Sequence, residues 1–426
     1  MRVLELERSA YDDLLRWKEQ DGASSALLNG APCTGKTHLA RKFAEAEYRT
    51  HIFIDFADPP EGVIDAFEHH GHDIGELFGL LEGIYGIELR ERGSAIVLDG
   101  VENYPRAWSL TKHMVEYGRY DIIATGRRLV VEARRRNLLI PSEVDHIEVR
   151  PLDFREFLRA VGEEGLLDGA RERVRRMEPM GDAHPRLSEL FRLYMQVGGM
   201  PEAVSEYIQS GDMAEVEKVK RGIIGRIREV LSDEPKALLA FDSVPSQLRT
   251  RSRTFMISCL GAADDFGDPD EALLRVDRES LVNMVLNSGD PGRSLFHDGS
   301  FRLYMFDTGL LHTMAAGSIP DRTMAENAAV QELVSAGRDL MYYSRPRRRR
   351  RTGMDVDLLL WENLKLSPVA VRSTGSVSHK CLGRFVTRFG RRIGPPRILY
   401  SGDMREMDGF AFLPLYLAGM LRSHPL

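Results

Sequence analysis

Gly30-Ala31-Pro32-Cys33-Thr34-Gly35-Lys36-Thr37 fits the spacing G-x-x-x-x-G-K-[ST], and each residue type has a task in holding phosphate. Gly30 and Gly35 let the backbone curl so that its N–H groups point inward. Lys36 brings a fixed positive charge toward the β- and γ-phosphates of ATP. The Thr37 hydroxyl is a ligand type for Mg²⁺, and a helix starting there turns its positive end toward the anion. This run, with His38 just after it, is the expected cofactor-binding segment, and Lys36 also counts among the expected catalytic residues.

The chemistry needs a second element, a hydrophobic strand ending in an acid that holds Mg²⁺. Ala95-Ile96-Val97-Leu98-Asp99 supplies it, so Thr37 and Asp99 are the expected metal ligands. A hydrolytic ATPase of this layout usually carries a glutamate next, to orient water; here Gly100 follows. Glu102 is the nearest carboxylate and the candidate catalytic base, with surface decoration as the alternative. Tyr120–Gly126 reads as the next core strand, and Thr125 at its end is a candidate polar sensor of the γ-phosphate. Arg127 and Arg128 follow, either as phosphate contacts or as solvated loop arginines.

The elements that must position these residues follow from pattern. Apolar runs alternate with amphipathic stretches over the first 150 residues, which predicts a parallel α/β sheet. The expected strands are 25–28, 51–56, 95–98, 121–124 and 146–149; the expected helices include 37–48 and 74–91. Residues 154–229 are helical in pattern, broken at Gly198-Gly199-Met200-Pro201. Three helical patterns follow (237–248, near 255–260, and 271–286), then the β-like run 301–306, an order resembling a winged helix. The end reads helix 326–336, strands 340–344, 356–361 and 368–372, helix 380–389 and strand 397–400. Arg8, Tyr11 and Trp17 are spaced to dock an N-terminal helix on the core.

Composition bounds the possibilities. The chain has 426 residues, 43% hydrophobic and 29% charged, which excludes global disorder. No stretch approaches the ~18 apolar residues of a membrane span, and the acidic start does not read as a secretion signal. Cys33, Cys259 and Cys381 lie far apart, against a disulfide scaffold or zinc cluster; a reducing, cytoplasmic setting is the default expectation. Net charge is −6, but the stretch from Glu326 onward has 17 basic and 9 acidic residues. Only 9 of the 58 basic residues are lysine, so a lysine that persists suggests that its chemistry is needed. His69, His70 and His72, near Asp73 and Glu76, read as a polar helix end rather than a metal site.

Several blocks together resemble the bacterial and archaeal AAA-type ATPases that end in a restriction-nuclease-like domain: GAPCTGKTHLA, SAIVLDGVENYPRA, YGRYDIIATG, LYMQVGGMPEAV, FRLYMFDTGLL, ENAAVQELVSAGRDLMYY and MDVDLLL. The resemblance implies an α/β P-loop AAA+ domain over 1–158, a helical lid or linker over 159–235, a winged-helix-like domain over 236–320 and a PD-(D/E)xK nuclease-like domain over 321–426. It implies an ATP-binding protein, a slow ATPase or nucleotide-dependent switch, and raises the expectation of a homo-oligomer. This chain departs from the family's Asp-Glu at Asp99-Gly100, and has Arg127 where the family usually has serine.

A PD-(D/E)xK centre needs acids on a helix and a strand, then acid-x-lysine on the next strand. Glu332 is the expected helix acid, and Asp355 and Asp357 share a strand face. The next strand reads Ala370-Val371-Arg372, so the centre is expected to be inactive. Arg345–Arg397 holds 14 basic residues against 3 acidic ones, a possible nucleic-acid contact or a charged solvated loop at Arg347–Arg351. The winged-helix stretch from Lys236 to Thr313 is net acidic, which favours packing within the chain or an unknown protein partner over DNA.

Overall fold

The computed structural model describes residues 5–127, 142–250, 252–262, 268–291, 299–345, 353–374 and 380–421. Arg128 and Arg347–Arg351 lie outside the described residues. The chain divides into two units, one from Glu7 to Arg150 and one from Pro151 onward.

In the first unit the apolar runs form strands β1 (Ser25–Asn29), β2 (Thr50–Asp55), β3 (Ser94–Asp99), β4 (Asp121–Gly126) and β5 (Val144–Glu148). All pair in parallel, in the order β2-β3-β4-β1-β5. Every residue of β3 and β4 is buried, as expected for central strands covered on both faces. Side chains alternate between two cores. Ile96, Leu98, Ile122 and Ala124 pack with α3 (Val63–His70), α4 (Ile74–Tyr85) and α5 (Pro105–Tyr117). Ala95, Val97 and Ile123 face α1 (Ser9–Lys18) and α2 (Lys36–Glu47). The helix expected over 74–91 stops at Tyr85, because Gly86 takes a left-handed conformation (φ 64°) and closes the last turn onto Glu82. The histidine group lies at the end of α3, where His70 contacts Glu76 at 3.0 Å.

In the second unit, helices α6 (Phe154–Ala160), α7 (Ala170–Arg176), α8 (Ala183–Val197), α9 (Pro201–Ser210) and α10 (Met213–Val230) precede α11 (Pro235–Leu248) and α12 (Pro269–Arg278). The break at Gly198-Gly199 is a packing contact. A Cβ on Gly199 would lie 2.1 Å from the Leu152 carbonyl oxygen, and one on Gly309 2.4 Å from that of Val197. Buried Asp307 closes the contact: its carboxylate accepts from the Gly199 N–H at 2.6 Å and the Leu310 N–H at 2.8 Å. Gly-Gly-Met-Pro and Phe-Asp-Thr-Gly, read above as marks of a family, are thus two halves of one interlock.

Two helical readings need correction. Residues 255–260 hold only a single 3₁₀ turn, Ile257–Leu260. The helix read over 271–286 ends at Arg278; Ser280 has φ 56°, and Val282–Asn287 is strand β6. Its sequence, VNMVLN, has the β-branched character that suits a pleated surface. β6 pairs antiparallel with β7 (Phe301–Met305) and parallel with β8 (Leu340–Arg345). Helices α13 (Thr308–Met314) and α14 (Asp321–Ser335) lie between β7 and β8 in sequence. β9 (Met354–Glu362), β10 (Lys365–Val371), α15 (Lys380–Phe389), β11 (Arg397–Tyr400), β12 (Arg405–Met407) and β13 (Phe410–Pro414) follow. One eight-stranded sheet, β12-β13-β11-β10-β9-β8-β6-β7, runs through the expected 320/321 boundary.

Glu332 also needs correction as the partner of Asp355 and Asp357. It is buried beside Gly419, and its carboxyl accepts from the Phe154 N–H at 3.0 Å. Burial pushes its pKa well above the ordinary carboxylate range, and Asp153 and Glu156 add to the rise. A carboxyl raised in this way is protonated in the fold and ionised in the unfolded chain. Its contribution to stability therefore fades as pH rises above the unfolded pKa. Glu332→Gln keeps the acceptor and removes the ionisation. Thermal unfolding should show Gln gaining on Glu from about pH 5 to pH 8; a constant difference would mean that Glu332 is ionised in place.

Candidate phosphate-binding site

Parallel register carries the carboxyl ends of the strands to one edge. Asp55 pairs with Asp99 across β2 and β3, and Leu98 with Ala124 across β3 and β4, which sets Thr125 beside Asp99. The phosphate loop leaves the same edge at Asn29, the end of β1. Gly30 has φ 148°, and a Cβ there would lie 2.2 Å from the Val149 carbonyl oxygen, so only glycine lets the loop turn under β5. Cys33 (φ 63°) and Gly35 (φ 92°) are both left-handed, alternating with ordinary residues so that successive N–H groups converge. Ala31, Pro32 and Thr34 are buried, and the Thr34 hydroxyl bonds the Ala31 carbonyl at 2.9 Å.

α2 starts at Lys36 with Gly35 as its cap, which brings no side chain to the first turn, and that turn holds no acid. Its N–H groups and dipole end therefore face the loop. The Lys36 ammonium lies over the loop, donating to the Gly30 carbonyl at 2.9 Å and the Ala31 carbonyl at 2.7 Å. Thr37 and His38 are exposed on the first turn of α2.

Asp99 is buried, and burial raises its pKa; hydrogen bonds from Thr125 and Thr37 oppose the rise, while Asp55 and Glu102 add to it. The Thr125 hydroxyl donates to Asp99 Oδ1 at 2.5 Å and accepts from the Gly100 N–H at 3.0 Å. This set fits a divalent cation. Two hard oxygen donors, Thr37 and Asp99, stand together, and a cation would offset both the burial that chiefly raises Asp99 and the repulsion from Asp55 and Glu102 that adds to it. Mg²⁺ typically takes few protein ligands and completes its shell with water and phosphate.

The structure brings Glu102 to this edge, where it pairs with Arg127 at 2.8 Å. Its Oε2 is buried without a hydrogen-bond partner. Gly100 has φ 68°, and a Cβ there would meet the Asn103 amide at 3.1 Å. A glutamate at this position would be strained, so the missing residue is matched by the backbone itself.

Sequence reasoning missed two residues. Arg8 was expected only to dock α1; its guanidinium also bonds the Thr34 carbonyl at 3.0 Å and the Arg150 carbonyl, tying the loop to the end of the sheet. Tyr11 and Trp17 do dock the helix, through Glu47 at 2.8 Å and the Ser24 carbonyl at 3.2 Å. Asp55 was read as part of the strand 51–56, and its flanking by Ile54 and Phe56 left no sequence signal that the strand ends there.

Residues 23–158 match the family described as an AAA domain. No curated protein matches the chain. Among solved structures, the chain is similar to the Orc1 protein of Aeropyrum pernix in complex with DNA, at 14% identity over 78% of this chain and 94% of that one, TM-score 0.29. It is similar to Cdc6p of Pyrobaculum aerophilum, at 16% identity over 75% and 92%, TM-score 0.24. It is also similar to protein VC1899 of Vibrio cholerae, at 11% identity over 93% and 95%, TM-score 0.20. Scores this low say nothing of function. Within the described residues no helix is long and apolar enough to cross a membrane. What the family match and the five-stranded parallel sheet establish together is that residues 23–158 form an AAA+ P-loop domain.

Proposed function

We propose that the chain binds ATP with Mg²⁺ at residues 30–37 and acts as a slow ATPase or nucleotide-dependent switch. The observation that carries this reading is the loop itself, with left-handed Cys33 and Gly35, an open helix start and the Lys36 ammonium poised above them. Thr37 and Asp99 would hold Mg²⁺, which supplies charge neutralisation at the β- and γ-phosphates. Thr125 fixes the Asp99 carboxylate and links it to the backbone that follows. Glu102 orients water, and its pairing with Arg127 makes turnover slow. Lys36→Ala should weaken ATP binding about 10- to 100-fold, the worth of one or two charge-assisted bonds; unchanged affinity in a titration would overturn the reading. Glu102→Gln should leave binding intact and cut phosphate release about 100-fold. Turnover equal to wild type would remove Glu102 from the chemistry. Binding without any turnover in wild type would select the switch.

A second reading, that the terminal segment is a degenerate nuclease fold that contacts nucleic acid, rests on the outer face of α15. Leu382, Phe385 and Phe389 are buried, while Lys380, Arg384 and Arg388 repeat along the exposed side, with Arg391 and Arg392 beyond. Part of the wider basic count is already spent: Arg345 and Arg388 share Asp290, Arg397 pairs with Glu362, and Arg372 with Asp357. The winged-helix reading of 236–320 rests on the order helix, turn, helix and hairpin. Salt-dependent retention of the full chain on DNA or RNA should fall when Arg384, Arg391 and Arg392 are changed to Glu. Equal retention would locate any contact elsewhere.

A further inference from the structure

A second group of charged side chains lies in the unit that follows Arg150. Glu326 on α14 and Asp355 and Asp357 on β9 converge, and four arginines meet them. Arg253, itself 6% exposed, bonds Glu326, reaches Asp355 at 2.9 Å and touches Asp357 twice at 3.2 Å. Arg302 bonds Asp355 at 2.8 Å and lies 3.6 Å from Glu326, with its guanidinium over the Tyr342 ring. Arg322 and Arg372 close on Asp357 at 2.9 and 2.8 Å. The Tyr304 hydroxyl donates to Glu326, and the Val371 N–H to Asp357.

A nuclease-like end implies a divalent cation held by such acids, and the residues present do not fit one. A cation needs free carboxylate oxygens; here Glu326 Oε2, Asp355 Oδ1 and Oδ2, and Asp357 Oδ1 and Oδ2 all accept from guanidinium groups. Burial would raise Asp357, but Arg253, Arg372 and Arg322 outweigh it and hold the carboxyl well below its usual range. Arg253 differs from the others in touching all three acids. It comes from the chain between α11 and β6 and sits at φ 56°, a costly conformation for a side-chain-bearing residue.

We propose that the Arg253 guanidinium occupies the place of a divalent cation among Glu326, Asp355 and Asp357, closing the cluster to metal and making it an internal clamp that ties the segment after α11 to α14 and β9. Guanidinium suits the role because it is permanently charged and its planar donors serve several carboxylates at once. The clamp does not depend on ATP binding.

The test uses the full chain with Asp99→Asn, so that the phosphate-loop site contributes no metal. Mn²⁺ is titrated and followed by the loss of its free electron-paramagnetic-resonance signal, alongside thermal unfolding. The clamp predicts no Mn²⁺ uptake and no change in Tm; uptake with a rise in Tm overturns it. Breaking a buried ion pair from one side should cost far more than removing both partners. Arg253→Met alone should lower Tm by about 5–10 °C, and adding Glu326→Gln should recover at least half of that loss. Additive losses, or an unchanged Tm in Arg253→Met, overturn the clamp. Where Arg253→Met alone gives no folded chain, the paired variant still decides: recovery of folding supports the clamp and continued failure overturns it.

Discussion

A carboxylate taken out of water must find donors, and in this chain the kind of donor decides what each buried acid can do. Asp99 is met by two hydroxyls, from Thr37 and Thr125. Hydroxyls can rotate and also accept, so Asp99 can exchange a hydrogen bond for a cation. Asp307 is met by backbone N–H groups at Gly199 and Leu310, which cannot leave without unmaking the fold. Asp357 is met by guanidinium groups, which satisfy it and exclude a metal at the same stroke. Glu332 is met by the Tyr194 side chain and the Phe154 N–H, yet burial outweighs both and pushes it toward the neutral form. These four buried acids thus have four fates, and of the four Asp99 alone is held by threonine hydroxyls, which can turn away.

The phosphate loop was legible in the sequence because its geometry is local. Gly30, Gly35, Lys36 and Thr37 lie within eight residues, and their conformations follow from residue type. Asp99 was legible as the polar end of an apolar run in a parallel sheet, and parallel register does the rest. Arg8 was only half legible, since its contact with Thr34 joins residues 26 apart and leaves no periodic trace. The Arg253 cluster was illegible for the same reason on a larger scale: its bonds to Asp355 and Asp357 span more than a hundred residues. The carboxylates and Arg372 could be found from strand alternation, but nothing in the sequence says that Arg253 comes to meet them.

The misplacement of Glu332 has a different cause. A helix face is read from amphipathicity, and α14 has little, because every residue from Thr323 to Leu333 is buried. With no polar side to orient it, Glu326 and Glu332 are equally plausible from the pattern alone. The misread of 282–286 as helix also arises from context. After Arg278 the apolar residues continue, so only the left-handed Ser280 and the pairing partners in β7 and β8 reveal the change of period. Tertiary pairing decides such segments, and single-sequence periodicity does not contain it.

The scarcity of lysine acquires a physical reading at this point. Lys18, Lys36, Lys220 and Lys236 all direct their ammonium groups at backbone carbonyl oxygens: those of Glu47, of Gly30 and Ala31, of Gln196, and of Ala262. The carboxylate clusters at Asp357, Glu362 and Asp290 are served by arginine instead. A compact ammonium with three donors fits a curved cage of carbonyls, whereas a planar guanidinium fits the fork of a carboxylate. At these four positions lysine gathers backbone around a point charge, although Lys218 and Lys220 also meet Glu215 and Glu217. Among these four, Lys36 alone lies over the glycine turn of residues 30–35. Lys36 holds the Gly30 and Ala31 carbonyls on one side, and the same ammonium is what a phosphate approaching the N–H groups of residues 33–37 would meet.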